Sequence, residues 1–139
     1  MRVYTIGYGG RSADEFLELL TDHGVRTVVD VRLRPDRASM GIWVKAKTSD
    51  KGIEKLLAQR EIGYRSIVEL GNPFLEFDDW QPRYRRLIEL AGSLLVERLD
   101  SIPPPYCLLC AEKRSMECHR RVIADYLAQS RGASVHHIE

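Results

Sequence analysis

A chain of 139 residues is long enough for one hydrophobic core, and residues 1–139 are therefore expected to form a single α/β domain. Its hydrophobic and charged fractions, 44% and 29%, exclude a disordered chain. The net charge of +1 argues against a protein that coats nucleic acid or lies on a membrane surface, because such proteins carry a large basic excess.

The first elements in chain order form a strand, a helix and a second strand. Residues Val3–Ile6 are typical of a short buried strand. Ser12 and Glu15 have the spacing of a capping box, and Gly24 stands where a helix should end. Residues Thr27–Val31 are mostly β-branched and apolar, so they predict the second strand. A βαβ unit of this length predicts that the two strands are parallel.

The rest of the chain continues to alternate between predicted helices and predicted strands. Residues 32–50 show no period and predict a long loop of the kind that often carries function. The remaining predicted elements are a helix around 53–57 ending near 63, strands at 64–68, 106–109 and 135–138, and helices at 84–95 and 117–130. About five strands alternating with four helices predict a Rossmann-like three-layer α/β/α sandwich with a mostly parallel sheet.

The three cysteines, Cys107, Cys110 and Cys118, are too few and too clustered for a secreted disulfide framework. We therefore expect reduced thiols and a cytoplasmic location. No segment has the pattern of a signal peptide, and no apolar run approaches the length of a membrane span. Membrane association is not expected.

Ligands of such sheets bind beyond the carboxyl ends of the strands, and two segments predicted to lie there are basic. Residues 26–37 hold four arginines and two aspartates, and residues 112–121 hold four basic residues and two glutamates. Arginine pairs well with phosphate and carboxylate, so the pattern favours an anion pocket with Arg32 and Arg120 as the binding groups. The alternative is a set of solvated or internal ion pairs, such as Arg32 with Glu112.

Two carboxylates and a histidine are the candidates for acid–base chemistry. Asp30 ends a predicted buried strand, where it can orient Arg32, act as a base, or accept amide hydrogens from a neighbouring loop. Glu112 follows the fourth strand, and buried carboxylates beside charges have shifted pKa values. His119 is a candidate base for a cysteine nucleophile.

Cys110 is the candidate nucleophile, because it follows the fourth strand directly and nearby basic residues favour its thiolate. Packing in the core is the alternative for Cys110 and the favoured role of Cys118, which precedes Val122 by four residues. Zinc held by these two cysteines with Cys107 and His119 is disfavoured, because Cys107 and Cys110 should face opposite sides of the sheet. No metal is expected. A phosphatase-type loop needs arginine six residues after the cysteine, and methionine stands there.

The turn at Gly7–Ser12 partly matches the dinucleotide-binding fingerprint, and Asp30 falls near the place of its ribose-binding acid. However, serine replaces the third glycine, and the chain has no room for a second substrate domain. We therefore expect no nicotinamide or flavin cofactor. Tyr8 and Gly9 are predicted to bind substrate, since amides of this turn can cradle a phosphate.

Several short motifs in a fixed order identify a resemblance that runs nearly end to end. They are Thr5-Ile6-Gly7-Tyr8, Asp30-Val31-Arg32, Gly63-Tyr64, Leu70-Gly71, Cys110-Ala111-Glu112, Cys118-His119-Arg120 and His137-Ile138. In this order they resemble the domain of unknown function 488 family. The resemblance implies a small prokaryotic α/β domain with no established activity. Its motif residues fall on Asp30, Arg32, Cys110, Glu112, Cys118, His119 and Arg120.

The chain departs from the family in the first loop, where Tyr8-Gly9 replaces the His-Ser that members often carry. A role for a histidine in that loop therefore does not transfer. The family's Pro-x-Ser segment is matched only loosely by residues 34–39.

The leading hypothesis is an enzyme that acts on a small phosphorylated or nucleotide-like anion. The alternative is a non-catalytic module that binds nucleic acid or a protein through the same basic edge. For the module, four loop aromatics can stack on bases or anchor a partner, unless they pack within their loops: Trp43, Phe74, Phe77 and Trp80. A third interpretation is a structural polar network that only ties loops together.

Overall fold

A parallel sheet of five strands lies at the centre of the computed structural model, which describes residues 1–139. The strands are β1 (Arg2–Gly7), β2 (Thr27–Asp30), β3 (Gly63–Ser66), β4 (Tyr106–Cys110) and β5 (Ser134–Ile138). The helices are α1 (Ala13–Asp22), α2 (Gly52–Ala58), α3 (Trp80–Leu95) and α4 (Arg120–Arg131). Every predicted strand and helix is therefore present, with small differences at the ends. None of the helices is long and apolar enough to cross a bilayer.

The strand order is β3-β2-β4-β1-β5, and all four pairings are parallel. The prediction that β1 and β2 are parallel is confirmed, but β4 lies between them. All five residues of β4 are buried, which suits its central position in the sheet. This order brings the carboxyl ends of β1, β2 and β4 side by side.

The helices cover both faces of the sheet and confirm the three-layer sandwich. Apolar residues of α1 and α2 pack on one face, and those of α3 and α4 pack on the other. The alternation along β4 places Cys107 and Leu109 against the first pair of helices. Leu108 and Cys110 face the second pair. The prediction that Cys107 and Cys110 face opposite sides is thus confirmed.

The start of α1 follows the predicted cap in part. The Glu15 amide donates to Ser12 Oγ at 3.1 Å, and Gly24 adopts a φ of +69° just beyond the helix. The Glu15 carboxylate does not return to the cap, because it pairs with Arg11 at 3.1 Å. Arg11 Nε also donates to the Gly7 carbonyl at 2.9 Å, so it ties the first loop to β1.

The segment at 32–50 is more ordered than a structureless loop. It contains a 3₁₀ turn at Gly41–Trp43, and the Lys45 amide donates to the Pro35 carbonyl at 2.8 Å. Trp43 is buried, stacks on Tyr8 with ring centroids 4.8 Å apart, and meets the edge of Phe16. Trp43 therefore packs within the protein, and it is not free to stack on a base or anchor a partner.

Candidate functional site

A cavity of about 240 Å³ opens at the carboxyl ends of β1, β2 and β4. Five residues predicted for the site line it: Tyr8, Arg32, Cys110, Glu112 and His119. We call it the strand-end cavity. A larger depression of about 690 Å³ lies nearby, but exposed side chains line it and it contains none of the predicted site residues. The chemistry-bearing residues therefore converge on the smaller cavity.

Asp30 is fully buried, and its carboxylate is occupied in holding Arg32. Oδ1 accepts from the Arg32 amide at 3.1 Å and from its Nε at 2.9 Å, while Oδ2 accepts from Nη2 at 2.7 Å. The Tyr64 hydroxyl also donates to Oδ2. Because all these acceptor positions are used, the geometry suits an orienting role for Asp30 better than that of a base.

The same contacts shift the ionisation of the neighbours of Asp30. Burial lowers the pKa of Arg32, but its hydrogen bonds to Asp30 and the charge of Asp30 outweigh burial and raise that pKa. Burial, followed by the charge of Asp30, raises the pKa of Tyr64. Both groups therefore keep their protons at neutral pH, and Arg32 remains a cation.

Arg32 reaches the cavity beside Tyr8. Its Nη1 lies 3.4 Å from the Tyr8 hydroxyl, and its guanidinium carbon lies 5.2 Å from the centroid of the Tyr8 ring. The ion pair between Arg32 and Glu112 that the sequence left open does not form, because Asp30 takes that place. Glu112 is exposed at the rim.

The loop at 110–113 crosses the end of β1 at very short range. The amides of Tyr8 and Gly9 donate to the carbonyls of Cys110 and Ala111 at 3.1 and 2.8 Å. A Cβ at Gly9 would lie 2.6 Å from the Ala111 oxygen, so a glycine permits the approach. These two amides are engaged by the protein and cannot cradle a phosphate. Tyr8 reaches the cavity through its side chain, and Gly9 does not line it.

Arg120 lies buried beneath this loop and does not line the cavity. Its Nη1 donates to Cys110 Sγ at 3.1 Å and to the Glu112 carbonyl at 2.6 Å. Its Nη2 donates to the Lys113 carbonyl at 3.1 Å, and its Nε donates to Thr5 Oγ1 at 3.2 Å. Burial lowers the pKa of Arg120 to about 10. These contacts suit a residue that holds the loop in place. Every nitrogen of the Arg120 guanidinium donates to a protein atom, so none of them points to an anion in the cavity.

His119 is buried, and its ring orientation follows from one hydrogen bond. Nε2 lies 2.7 Å from the Val31 carbonyl oxygen, which can only accept, so Nε2 carries the proton. Nδ1 is then unprotonated and lies 3.6 Å from Cys118 Sγ. Burial lowers the pKa of His119 to about 4, so the ring is neutral at pH 7. The free nitrogen of this candidate base therefore faces the Cys118 sulfur.

Cys110 and Cys118 form a disulfide, so the expectation of reduced thiols is wrong for this pair. The expectation rested on spacing along the chain. In the fold, a 3₁₀ turn at Ser115–Glu117 brings Cys118 back against the end of β4. Cys118 is extended and precedes α4, so it does not lie in the first helical turn as predicted. Cys107 is a free, buried thiol whose pKa is raised by burial.

Two further donors line the cavity, in segments that the sequence placed at strand ends without giving either residue a role. Arg37 is exposed and forms no ion pair, whereas its neighbour Arg34 pairs with Asp36 at 2.9 Å. Asn72 is buried, and its Oδ1 accepts from the Phe74 amide at 2.9 Å. The Asn72 side-chain nitrogen is buried without a partner. The turn residues that follow β3 were the available signal for Asn72.

Comparison with known proteins supports the family assignment. The model of the family "Domain of unknown function DUF488" matches residues 12–127. No curated protein matches the chain, and no solved structure matches it. The matched range contains the Asp-Val-Arg, Cys-Ala-Glu and Cys-His-Arg motifs, and of the predicted site residues only Tyr8 and Gly9 lie outside it. The chain therefore belongs to the DUF488 family of domains of unknown function.

Proposed function

We propose that the protein is an enzyme that binds a small phosphorylated or nucleotide-like anion in the strand-end cavity. The observation that carries the proposal is the set of unmatched donors in this one cavity. Arg37 has no carboxylate partner, and the side-chain nitrogen of Asn72 has no hydrogen-bond partner at all. Buried polar groups without partners are rare in folded proteins, so a ligand that accepts hydrogen bonds suits the Asn72 nitrogen.

Arg32 is the preorganised cation of the site. Its ion pair with Asp30 fixes the guanidinium before any ligand arrives, so little conformational entropy remains to be lost on binding. The pair is neutral as a unit, and a free positive charge must therefore come from elsewhere. Arg37 supplies that charge at the rim of the cavity.

The cavity volume limits the size of the bound group. About 240 Å³ lies below the volume of most pockets that enclose drug-sized ligands. A phosphate with its attached sugar fits this limit better than a whole dinucleotide. A nucleotide base would extend beyond the cavity into solvent.

Glu112 and Cys110 are the groups placed for chemistry. The Glu112 carboxylate lies 3.6 Å from Cys110 Sγ and is exposed at the rim, where it can exchange protons with solvent and ligand. Cys110 can act as a nucleophile only when its bond to Cys118 is reduced. Asp30, His119 and Arg120 then act as positioning residues, because each is buried and bonded to protein atoms.

Replacing Arg37 by alanine should weaken anion binding about tenfold, because a charge-assisted hydrogen bond contributes about 1.5–3 kcal/mol. Isothermal titration calorimetry with inorganic phosphate, ribose 5-phosphate and adenosine monophosphate measures this change. Arg65→Ala is the matched control, because Arg65 is also exposed without an ion pair but does not line the cavity. The control should bind as the unmodified protein does.

Two results would count against the proposal. One is the absence of saturable binding for all three anions, and the other is an equal loss of affinity in both variants. The non-catalytic alternative predicts tight binding of an oligonucleotide with a steep dependence on salt. Turnover is tested separately, by ³¹P NMR of any phosphate ester that binds. Glu112→Gln should stop turnover and leave binding of that ester in place.

A further inference from the structure

Three neighbouring side chains carry donor atoms that suit a metal ion, and two of them, Cys110 and His119, line the strand-end cavity. Cys110 Sγ, Cys118 Sγ and a ring nitrogen of His119 lie within 4.8 Å of one another, and all three residues are buried. Thiolate sulfur and imidazole nitrogen are the ligands that zinc prefers. Cys107 is excluded because it faces the opposite side of the sheet. Binding of an ion by these three atoms also depends on the hydrogen bonds that surround them.

The hydrogen bond made by His119 is the kind that supports a metal-binding imidazole. Histidine ligands usually donate their other ring nitrogen to a carbonyl or carboxylate, which fixes the tautomer and aims the free nitrogen at the metal. Here Nε2 donates to the Val31 carbonyl at 2.7 Å. Nδ1 is left as the free donor atom, and it lies 3.6 Å from Cys118 Sγ.

Both sulfur atoms also accept hydrogen bonds from Arg120. Its side-chain Nη1 lies 3.1 Å from Cys110 Sγ, and its backbone amide lies 3.5 Å from Cys118 Sγ. Such N–H donors stabilise thiolates, which are the metal-binding form of cysteine. Two thiolates, one neutral imidazole and one divalent ion sum to zero charge. A neutral cluster avoids the large cost of an unpaired charge at a buried position.

The backbone spacing of the two cysteines suits a shared ion. Their Cα atoms are 7.4 Å apart, which is beyond the usual disulfide range of about 4.4–6.8 Å. Two sulfur ligands of one tetrahedral zinc, each at about 2.3 Å from the metal, stand about 3.8 Å apart. When the disulfide is reduced, the sulfur atoms of Cys110 and Cys118 are no longer bonded and move apart. This movement brings them towards the spacing that one zinc ion requires.

We propose that the reduced protein binds one zinc ion through Cys110 Sγ, Cys118 Sγ and His119 Nδ1. Cys110 and His119 line the strand-end cavity, so a fourth coordination position faces the cavity, beside the exposed carboxylate of Glu112. Three protein ligands with one open position are typical of catalytic zinc sites, whereas structural sites have four protein ligands. The zinc site is independent of anion binding by Arg37, but a zinc-bound Cys110 is no longer a free nucleophile, so in that form only Glu112 and the open zinc position remain for chemistry. The disulfide is then the metal-free, oxidised form.

The disulfide form is converted into the zinc-bound form in two steps, reduction and metal binding. A phosphine reductant and one water molecule convert the disulfide into two thiols, and the phosphine becomes its oxide. Binding of Zn²⁺ then forms two Zn–S bonds and one Zn–N bond, and releases the two thiol protons. A small disulfide oxidant, which takes up the two electrons and two protons and is itself reduced to two thiols, would close the bond between Cys110 and Cys118 again.

The test uses the full chain reduced with a phosphine and freed of metal. Zinc content after dialysis against Zn²⁺ is measured by native mass spectrometry, and Co²⁺ is used as a spectroscopic probe. We expect one zinc per chain, and thiolate-to-cobalt charge-transfer absorption in the near ultraviolet with d–d bands of a tetrahedral site. Cys118→Ala and His119→Gln should lose the bound zinc. Cys107→Ala is the matched control and should keep both zinc and the cobalt spectrum.

The proposal is overturned if the reduced protein takes up no zinc, or if Cys118→Ala and Cys107→Ala bind it equally. Circular dichroism checks that each variant is folded, and His119→Gln serves if Cys118→Ala is not. Phosphate titration of the same samples keeps the two proposals apart. Zinc uptake without anion binding would refute only the proposed function, and the reverse result would refute only the zinc site.

Discussion

Asp30→Ala is expected to lower the free energy of unfolding by about 3–5 kcal/mol, because it leaves the buried Arg32 cation without its partner. Four donor contacts end at this carboxylate, three from Arg32 and one from Tyr64. The side chain is fully buried, so water cannot replace the lost acceptor without opening the site. Urea denaturation at pH 7, followed by circular dichroism, measures the change.

The chain offers a matched control for this variant in the same loop. Arg34 and Asp36 have the same spacing and also form an ion pair, but their side chains are 51% and 55% exposed. Asp36→Ala should therefore leave the urea midpoint unchanged within error. Replacing both buried partners, as Asp30→Leu with Arg32→Met, should recover most of the loss. If Asp30→Ala unfolds at the same urea concentration as Asp36→Ala, the buried pair does not hold the site together.

Arg120→Met is expected to destabilise the protein by about 4 kcal/mol, because several buried or partly buried acceptors lose a charged donor at once. The affected acceptors include the carbonyls of Glu112 and Lys113 and the Thr5 hydroxyl. Methionine fills most of the volume but donates no hydrogen bond. The loop at 110–113 should also become more mobile, since the buried Arg120 side chain donates hydrogen bonds to two of its carbonyls.

Hydrogen exchange and urea denaturation together measure this effect. The amides of Tyr8 and Gly9 donate to the loop, so both should exchange faster in Arg120→Met. Arg85→Met is the control, because Arg85 is 52% exposed and lies 3.8 Å from its carboxylate partner. A variant that keeps both its stability and the protection of these two amides would show that the loop is held by other contacts.

The positions of the strands and helices follow from local patterns in the sequence. The spacing of apolar residues predicted every strand and helix, because these elements depend mainly on local pattern. Examples are the buried run of β4 and the apolar faces of α1 and α4. The start of α4 differed by three residues because a 3₁₀ turn at Ser115–Glu117 precedes it. Local pattern does not distinguish such a turn from the first turn of a helix.

The roles within the site were less accessible from sequence. Residue type and position at strand ends identified Arg32, Cys110, Glu112 and His119 as lining residues of one cavity. The same rule placed Arg120 with the anion, whereas the fold turns its guanidinium under the loop at 110–113. Arg37 and Asn72 were given no role of their own, because the lack of a partner is visible only when all neighbours are in place.

Local features of the amino-acid sequence were enough to predict the α/β class, the order of the elements and the edge of the sheet at which polar residues gather. These depend on periodicity and on the direction of the chain, which are local properties. The folded protein was needed to show that β4 lies between β1 and β2, that Cys110 meets Cys118, and that His119 turns its free nitrogen to the Cys118 sulfur. These are contacts between distant segments, and they depend on how whole helices pack against the sheet.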